Sequence, residues 1–293
     1  MYPAPFRYAA PTSLDEALSA LGEGGDEARV LAGGQSLIPL LKLRLSRPAV
    51  LVDLGRVPGL DGITLQDGHL RLGALARHYQ VASSPLVRRH APLLANAVGQ
   101  IADVQVRNCG TAGGSMALAD PSGDWGTAAL TLDASVVCVG PAGRRSIKAS
   151  DFFVDMFTTA LRPDEIITEV MVPVRAADGA GIYLKLVRRH GDRAICGVAV
   201  RARVDSDQRC TDVAIGLTAM GPTPIRATDA ESLLRGQRLT REVVEAAADA
   251  AVAVTDPLAD LGGSAAYKRE VAKTLVQRAL ARATSGDGNE GGH

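Results

Sequence analysis

The sequence predicts an α+β protein made of three units in series: a small α/β unit, a larger unit with a mixed or antiparallel sheet, and a C-terminal antiparallel sheet followed by a bundle of helices. The chain has 293 residues, of which 46% are hydrophobic, and this is enough apolar material for two or three separate cores. Apolar residues recur with helical spacing in some segments and form short continuous or alternating runs in others, as strands do. Glycine-rich turns separate the two kinds of segment.

The first unit, about residues 1–56, alternates helices with strands. Its first helix follows the capping pattern Thr12-Ser13-x-x-Glu16, in which side chains satisfy the free amides of the first turn. An apolar strand then runs into Gly33-Gly34, and Ser36 is positioned to cap the helix that follows. In order, the predicted elements are a helix over residues 13–21, a strand over 29–32, a helix over 36–45 and a strand over 50–54.

The second unit, about residues 57–177, also mixes strands with helices. A turn is expected at Gly140-Pro141-Ala142-Gly143, and a glycine turn follows the first long helix. In order, the predicted elements are a strand over residues 69–73, a helix over 93–104, a helix over 124–132, a strand over 134–139 and a strand over 165–172.

The third unit follows a weak linker at residues 176–181, so we expect a domain over residues 178–284. Its strands form an antiparallel sheet, with a hairpin turn at residues 205–208. The last residues, 285–293, have nothing to bury and are expected to be disordered. The predicted strands cover residues 182–189, 195–204 and 213–218, and the helices cover 227–234, 241–254 and 265–283.

Charge and residue usage argue against several classes of protein. Lys and Arg total 32 and balance 32 Asp and Glu, so no excess positive field exists to attract nucleic acid or an anionic membrane. The sequence shows neither a leader peptide nor an apolar run long enough to span a membrane, and we expect the protein in the cytoplasm. The cysteines are scattered and the histidines form no ligand pair, so we expect no metal site and buried or half-buried thiols at Cys109, Cys138, Cys196 and Cys210.

Two glycine-rich segments carry the strongest indication of a ligand. Ala32-Gly33-Gly34-Gln35-Ser36 is the first segment, and Thr111-Ala112-Gly113-Gly114-Ser115 is the second segment. Glycines let backbone amides turn toward one point, where they bind phosphate, and the helix after the first segment would add its positive end. One such segment is more often a simple turn, whereas two together can hold a pyrophosphate from opposite sides. Neither fits the Gly-x-Gly-x-x-Gly or the Gly-x-x-x-x-Gly-Lys pattern of the two common nucleotide-binding folds.

In order and spacing, the two segments and Ala119-Asp120-Pro121-Ser122-Gly123-Asp124 resemble the motifs of the FAD-binding medium subunits of molybdenum hydroxylases, the xanthine dehydrogenase family. Residues 183–192 and 264–269 also fit the family pattern, so the resemblance covers nearly the whole chain. Within the family, the motifs are most similar to those of the aerobic carbon monoxide dehydrogenases. The resemblance implies a two-part FAD-binding domain over residues 1–177 and a flavoprotein C-terminal domain after it.

The resemblance also implies which residues contact FAD. Amides of the first segment and its flanks would wrap the diphosphate and the ribityl chain, and the second segment would complete the grip. Asp124 matches a carboxylate that binds the adenosine ribose, and Lys185 matches a lysine beside the flavin ring, where its charge would stabilise the reduced flavin. Arg193 stands where the family often has an aromatic residue that covers the flavin, and Ser115 stands where asparagine is commoner. The expected cofactor-binding set is Leu31, Ala32, Gly33, Gly34, Gln35, Ser36, Leu37, Ile38, Ile101, Thr111, Ala112, Gly113, Gly114, Ser115, Asp124, Ile167 and Lys185.

The implied function is that of an oxidoreductase made of several chains. A large subunit would carry the molybdopterin cofactor and the substrate, and a small subunit would carry [2Fe-2S] clusters. This chain would be the exit for electrons, toward NAD, a quinone or oxygen. The expected assembly is a dimer of heterotrimers, and its substrate stays open between carbon monoxide, an N-heterocycle and an aldehyde.

Two other functions remain compatible with the sequence. A stand-alone FAD oxidase would usually add a sizeable substrate domain with a histidine, tyrosine or acid facing the flavin, and no such set is evident in this chain. A non-catalytic module that binds nucleotide diphosphates would explain the glycine segments. It would not explain the motif around Lys185.

Overall fold

The computed structural model describes residues 2–174 and 181–285. The predicted linker falls almost entirely outside these ranges, as does the predicted disordered tail after Ser285. Within the described residues, the chain forms four sheets, and its helices pack against the three larger ones.

The first unit is a three-stranded parallel sheet with strand order β1-β3-β2. Its first helix begins as predicted, because the Ser13 hydroxyl accepts from the Glu16 amide and the Glu16 carboxylate accepts from the Thr12 amide. Parallel strands bring their carboxyl ends to one edge of the sheet, so the first segment leaves β2 at the edge where β3 also ends. The elements are β1 (Arg7–Ala9), α1 (Leu14–Gly24), β2 (Ala28–Leu31), α2 (Leu37–Lys42) and β3 (Val50–Asp53).

The second unit is built on a five-stranded antiparallel sheet with strand order β4-β5-β10-β6-β7. Helices pack on this sheet over a core that includes Leu70, Leu72, Met116 and Trp125. The elements are β4 (Ile63–Gln66), β5 (His69–Gly73), α3 (His78–Ser83), α4 (Pro85–His90), α5 (Pro92–Gly99), α6 (Val104–Cys109), α7 (Ala112–Leu118), α8 (Asp124–Thr131), β6 (Ser135–Gly140), β7 (Gly143–Lys148), α9 (Ala149–Phe152), β8 (Phe153–Asp155), β9 (Thr158–Thr159) and β10 (Ile166–Pro173).

The third unit is a four-stranded antiparallel sheet in sequence order, with three helices that bury its apolar face. Val198, Val200, Ile215 and Leu217 of the sheet form a core with small residues of the helices. The elements are β11 (Gly181–Leu186), β12 (Cys196–Val204), β13 (Cys210–Thr218), β14 (Ile225–Arg226), α10 (Thr228–Leu234), α11 (Arg241–Ala253) and α12 (Ala265–Ser285).

This architecture confirms the predicted α+β class, and it corrects several local predictions. The helix predicted over residues 93–104 is two helices, because Ala102 adopts a positive φ of 43° and Asp103 caps a new helix at Val104. The helix after the first segment ends at Lys42 rather than at residue 45, and the Ser36 hydroxyl forms no capping bond. Of the four thiols, Cys109 is exposed and the other three are buried. No helix in the described ranges is both long and apolar enough to span a bilayer.

Candidate functional site

The two glycine segments lie against each other although they are far apart in sequence. A Cβ atom added at Gly33 would lie 2.2 Å from the carbonyl oxygen of Cys109 and 2.8 Å from the Cα of Gly110. A Cβ added at Gly114 would lie 3.8 Å from the Cβ of Ala32. Because the backbones approach this closely only where a side chain is missing, glycine at position 33 is required by the contact between the segments.

The first segment presents a run of unpaired backbone amides. In the described part of the chain, the N–H groups of residues 33–37 donate to no backbone or side-chain acceptor, and Ile38 is the first to bond, to the carbonyl of Gly34. Gly34 has a positive φ of 72°, a conformation that glycine adopts without strain. Gly33, Gly34 and Ser36 are half-buried. Consecutive amides that protein groups leave free, in a partly enclosed position, form a site for an anion such as phosphate.

The second segment differs from the prediction, because it is the beginning of helix α7 and its amides are bonded within the protein. Thr111 is the N-cap, and its hydroxyl accepts from the Gly114 amide at 3.2 Å. The Ala112 amide donates to Ala76 O at 2.9 Å, and the Gly113 amide donates to Ala74 O at 2.8 Å. The segment therefore packs as a wall against the first one, and it does not offer a second set of free amides.

A buried histidine lies directly beneath the second segment. His78 accepts a hydrogen bond at Nδ1 from the indole Nε1 of Trp125, at 3.0 Å, and its Nε2 lies 3.4 Å from Ser115 Oγ. A Cβ at Gly110 would lie 2.7 Å from the same Nε2. Burial, helped by the nearby Arg107 charge, lowers the pKa of His78 to about 4. The ring is thus neutral at pH 7, and it ties α7 to α8.

We expect this histidine to make the stability of the protein fall in mild acid. Its pKa in the folded protein, about 4, lies below its ordinary value of 6.5, so below pH 6.5 the unfolded chain binds more protons than the folded one. The contribution of neutral His78 is complete above pH 6.5 and decreases as the pH falls toward 4, by about 2 kcal/mol between pH 8 and pH 5.

Urea unfolding across this pH range measures the effect. His78→Asn keeps an acceptor for the Trp125 indole and does not titrate, so it should lose about 2 kcal/mol less than the wild type between pH 8 and pH 5. Equal losses in the two proteins would contradict the assignment of a neutral buried ring.

Lys185 and Asp124, which are 61 positions apart in the sequence, form one buried ion pair. Lys185 Nζ lies 2.9 Å from Asp124 Oδ2 and 3.2 Å from the carbonyl oxygen of Gln100. The two side chains are 3% and 4% exposed, respectively. Tyr183 OH lies 2.6 Å from the other carboxylate oxygen of Asp124, and Asn96 accepts from the Tyr183 amide. Burial raises the pKa of the Asp124 carboxyl, and the Lys185 charge opposes that rise.

The remaining expected residues either flank the first segment or pack in the core of the second unit. Leu31 ends β2, and Leu37 and Ile38 begin α2, so all three flank the first segment. Ile101 follows Gln100, the partner of Lys185, and packs against the core. Ile167 is 5% exposed and belongs to the same core, on strand β10 against which α7 packs.

One continuous series of contacts joins the glycine segments to the ion pair. It begins at the contact of Gly33 with Cys109 and crosses the buried histidine to α8, whose first residues carry both the indole and the carboxylate. The series runs Gly33, Cys109, Gly110, His78, Trp125, Asp124, Lys185, Gln100. Sequence reasoning missed His78 and Trp125, and the apolar helical spacing around them gave no signal beyond that of a core.

The loop after β11 closes over this region from the C-terminal unit. The guanidinium of Arg193 forms an ion pair with the Asp120 carboxylate, which also accepts from the amide and hydroxyl of Ser122. Gly191, with a φ of 90°, approaches the backbone of Ala102. Arg193 therefore bridges the two units where the resemblance expects an aromatic cover. Within the described ranges, no three His, Cys, Asp or Glu side chains are grouped as metal ligands.

Comparisons with known proteins identify the family of this chain. A family model described as "FAD binding domain in molybdopterin dehydrogenase" matches residues 4–175, and one described as "CO dehydrogenase flavoprotein C-terminal domain" matches residues 182–283. The carbon monoxide dehydrogenase medium chain of Hydrogenophaga pseudoflava is 41% identical over 96% of this chain and 97% of its own length. The 6-hydroxypseudooxynicotine dehydrogenase complex subunit alpha of Paenarthrobacter nicotinovorans is 40% identical over 97% of this chain and 96% of its own length.

Solved structures of related enzymes superimpose on this chain over almost its whole length. Carbon monoxide dehydrogenase from Hydrogenophaga pseudoflava superimposes with a TM-score of 0.95 at 42% identity, over 97% of this chain and 99% of the matched chain. Quinoline 2-oxidoreductase from Pseudomonas putida 86 gives a TM-score of 0.92 at 33% identity, over 98% of this chain and 99% of the matched chain.

Proposed function

Because this chain belongs to the family of FAD-binding subunits of molybdopterin dehydrogenases, we propose that it binds one FAD through the first glycine segment and serves as the electron-exit subunit of a molybdenum hydroxylase complex. The observation that carries the proposal is the run of unpaired amides at residues 33–37. A diphosphate needs several donors that converge on a small volume, and amides without protein partners supply them at no cost in broken bonds.

The residues around the first segment fit the rest of the cofactor as well. The Ser36 hydroxyl makes no capping bond and can donate to a phosphate oxygen. The amides of Ala112 and Gly113 are already bonded within the protein, so the second segment would contribute to the site by packing against the first one. Ile101 provides an apolar contact next to the carbonyl that holds Lys185.

FAD, when bound, accepts electrons one at a time and can release them singly or as a pair. The chain supplies the surroundings that make this exchange possible. The first segment would hold the diphosphate, the second segment keeps the first in place, and the Lys185 ammonium would stabilise negative charge on a group placed beside it. The ion pair is closed to water, so its charges act in a medium of low dielectric constant, where they have a larger effect.

In the proposed complex, a small subunit with [2Fe-2S] clusters delivers electrons to this chain, and a large subunit with a molybdopterin cofactor oxidises the substrate. The electrons leave to NAD, a quinone or oxygen, and the assembly is a dimer of heterotrimers. We propose carbon monoxide as the first substrate to test, because carbon monoxide dehydrogenases occur among both the sequence relatives and the solved structures. A nicotine derivative is the second, because a relative named for it is almost equally similar.

Co-purification and absorption spectroscopy test the proposal. We expect the full-length chain to purify with two other chains and with about one equivalent of FAD, and the complex to reduce a dye acceptor when its substrate is added. The control is the chain alone with the same candidate substrates, which should leave its flavin oxidised. A colourless protein in all preparations would contradict FAD binding, and a flavin that the substrate reduces without other chains would support a stand-alone oxidase instead.

A further inference from the structure

The ion pair of Asp124 with Lys185 assigns a role to Asp124 that differs from the one implied by the family resemblance. The resemblance places Asp124 at the adenosine ribose and Lys185 at the flavin ring. The ribityl chain and both phosphates separate these two ends of FAD. Because Nζ and Oδ2 lie 2.9 Å apart, a pair that acts at the flavin ring does not also bind the adenosine ribose of an extended FAD.

The carboxylate is also occupied and enclosed. Oδ2 accepts from Lys185 and Oδ1 accepts from Tyr183 OH at 2.6 Å. With 4% of the residue exposed, there is no open surface on which the two hydroxyls of a ribose could dock. Tyr183 OH also lies 3.0 Å from Thr218 Oγ1, and Tyr183 is 1% exposed, so the hydroxyl that donates to Asp124 is itself enclosed by protein.

The Lys185 ammonium is also held by two hydrogen bonds, which leave one of its three N–H donors unused by them. A lysine ammonium has three N–H donors, and here two of them go to Asp124 Oδ2 and Gln100 O. Gln100 itself is anchored, because its side-chain amide donates to the Tyr183 carbonyl. The ammonium is thus fixed by Gln100, directly after α5, and by α8, and the described residues offer no third acceptor, which leaves a single N–H for a ligand.

We propose that Asp124 is a positioning residue for Lys185: it keeps the Lys185 ammonium charged and fixed beside the flavin ring, and it does not bind the adenosine ribose. This proposal rests on FAD binding as proposed above. A lysine enclosed in protein without a carboxylate partner tends to lose its proton, because burial disfavours the charged amine. Asp124 supplies that carboxylate partner, and the Tyr183 hydroxyl, which donates to Asp124, opposes the rise in the pKa of the carboxyl that burial causes.

The sign of the change in flavin potential separates this role from a direct one. If Asp124 acted on the flavin through its own negative charge, then Asp124→Asn would raise the midpoint potential of the bound FAD. If Asp124 acts by keeping Lys185 charged, the same substitution also costs Lys185 its proton, and the potential falls because the lost positive charge lies nearer the flavin ring than the lost negative charge. Lys185→Met removes that charge directly and should lower it as well.

The test uses the full chain and three variants: Asp124→Asn, Lys185→Met and the double variant. For each, the dissociation constants of FAD and of ADP and the midpoint potential of bound FAD are measured. We expect both single variants to weaken FAD about tenfold, to leave ADP within about twofold, and to lower the potential. The double variant should have the same FAD affinity and the same midpoint potential as Lys185→Met alone, because Asp124 acts only through Lys185.

A matched control is Asp260→Asn in the C-terminal unit, which removes the carboxylate partner of another buried lysine, Lys268, 2.7 Å away. It should change neither the FAD affinity nor the potential. If Asp124→Asn does not fold, Tyr183→Phe removes only the hydroxyl bonded to Asp124 and should lower the potential by a smaller amount.

Either a raised potential or an approximately tenfold loss of ADP affinity in Asp124→Asn, or a raised potential in Tyr183→Phe, would overturn the proposal. FAD affinity and potential that are unchanged in Asp124→Asn would also overturn it. A wild-type chain that binds no FAD would instead refute the proposed function.

Discussion

Gly33→Ala is expected to weaken FAD binding by about 100-fold, which corresponds to about 2.7 kcal/mol of binding free energy. The added Cβ would lie 2.2 Å from the carbonyl oxygen of Cys109, a backbone atom that cannot rotate away. The first segment must then move off the second, and the amides of residues 33–37 no longer converge on one site. Titration of the apoprotein with FAD, followed by flavin fluorescence, measures the loss.

The same substitution at Gly22, in helix α1, is the matched control, because a Cβ there meets no atom within 4 Å. Gly22→Ala should bind FAD as the wild type does. Gly33→Ala should also lower the free energy of unfolding by about 1–3 kcal/mol, since the side chain collides with protein rather than filling space reserved for the ligand. Wild-type affinity in Gly33→Ala would show that the contact between the segments is unimportant for the site.

Glu231→Ala is expected to cause the largest loss of stability, about 3 kcal/mol. Glu231 is 1% exposed and accepts from the Ile215 amide at 2.9 Å, from Arg235 at 2.8 Å and from the Arg226 guanidinium. Its removal leaves a buried amide without an acceptor and deprives Arg226 of its main partner. Urea unfolding at pH 7 measures the change.

Glu245→Ala provides the comparison, because Glu245 pairs with Arg241 on the surface of α11. Exposed pairs contribute little, so this variant should lose no more than about 0.5 kcal/mol. Similar losses in the two variants would show that Glu231 has no structural role beyond that of a surface charge. FAD affinity should be unchanged in Glu245→Ala, since none of the contacts that join the glycine segments to Lys185 involves this residue.

Local sequence signals predicted the elements whose boundaries are set by capping or by long apolar runs. The Thr12-Ser13-x-x-Glu16 pattern gave α1 a start that the structure confirms, and the strands predicted over residues 195–204 and 213–218 correspond to β12 and β13. Short edge strands were missed, as was β7, whose charged residues hide the alternation of a strand. The break between α5 and α6 depends on the positive φ of Ala102, a residue that does not favour that conformation on its own.

Sequence motifs located the site, but they did not predict its internal contacts. The two glycine segments were identified from their residues alone, whereas the start of α7 at the second segment depends on Thr111 as the N-cap, a signal that the sequence contains and that the loop interpretation overlooked. His78 could not be identified, because a lone histidine in an apolar segment carries no sign of its neighbours. The pairing of Asp124 with Lys185 joins residues 61 positions apart through the packing of α8 against the C-terminal sheet.

The structure of the full chain loaded with FAD, at a resolution that shows the diphosphate, tests the central claim most directly. We predict phosphate oxygens within about 2.7–3.2 Å of amide nitrogens in residues 33–37, the distance of an ordinary N–H···O hydrogen bond. A diphosphate bound elsewhere, with those amides making no bond to it, would contradict the account.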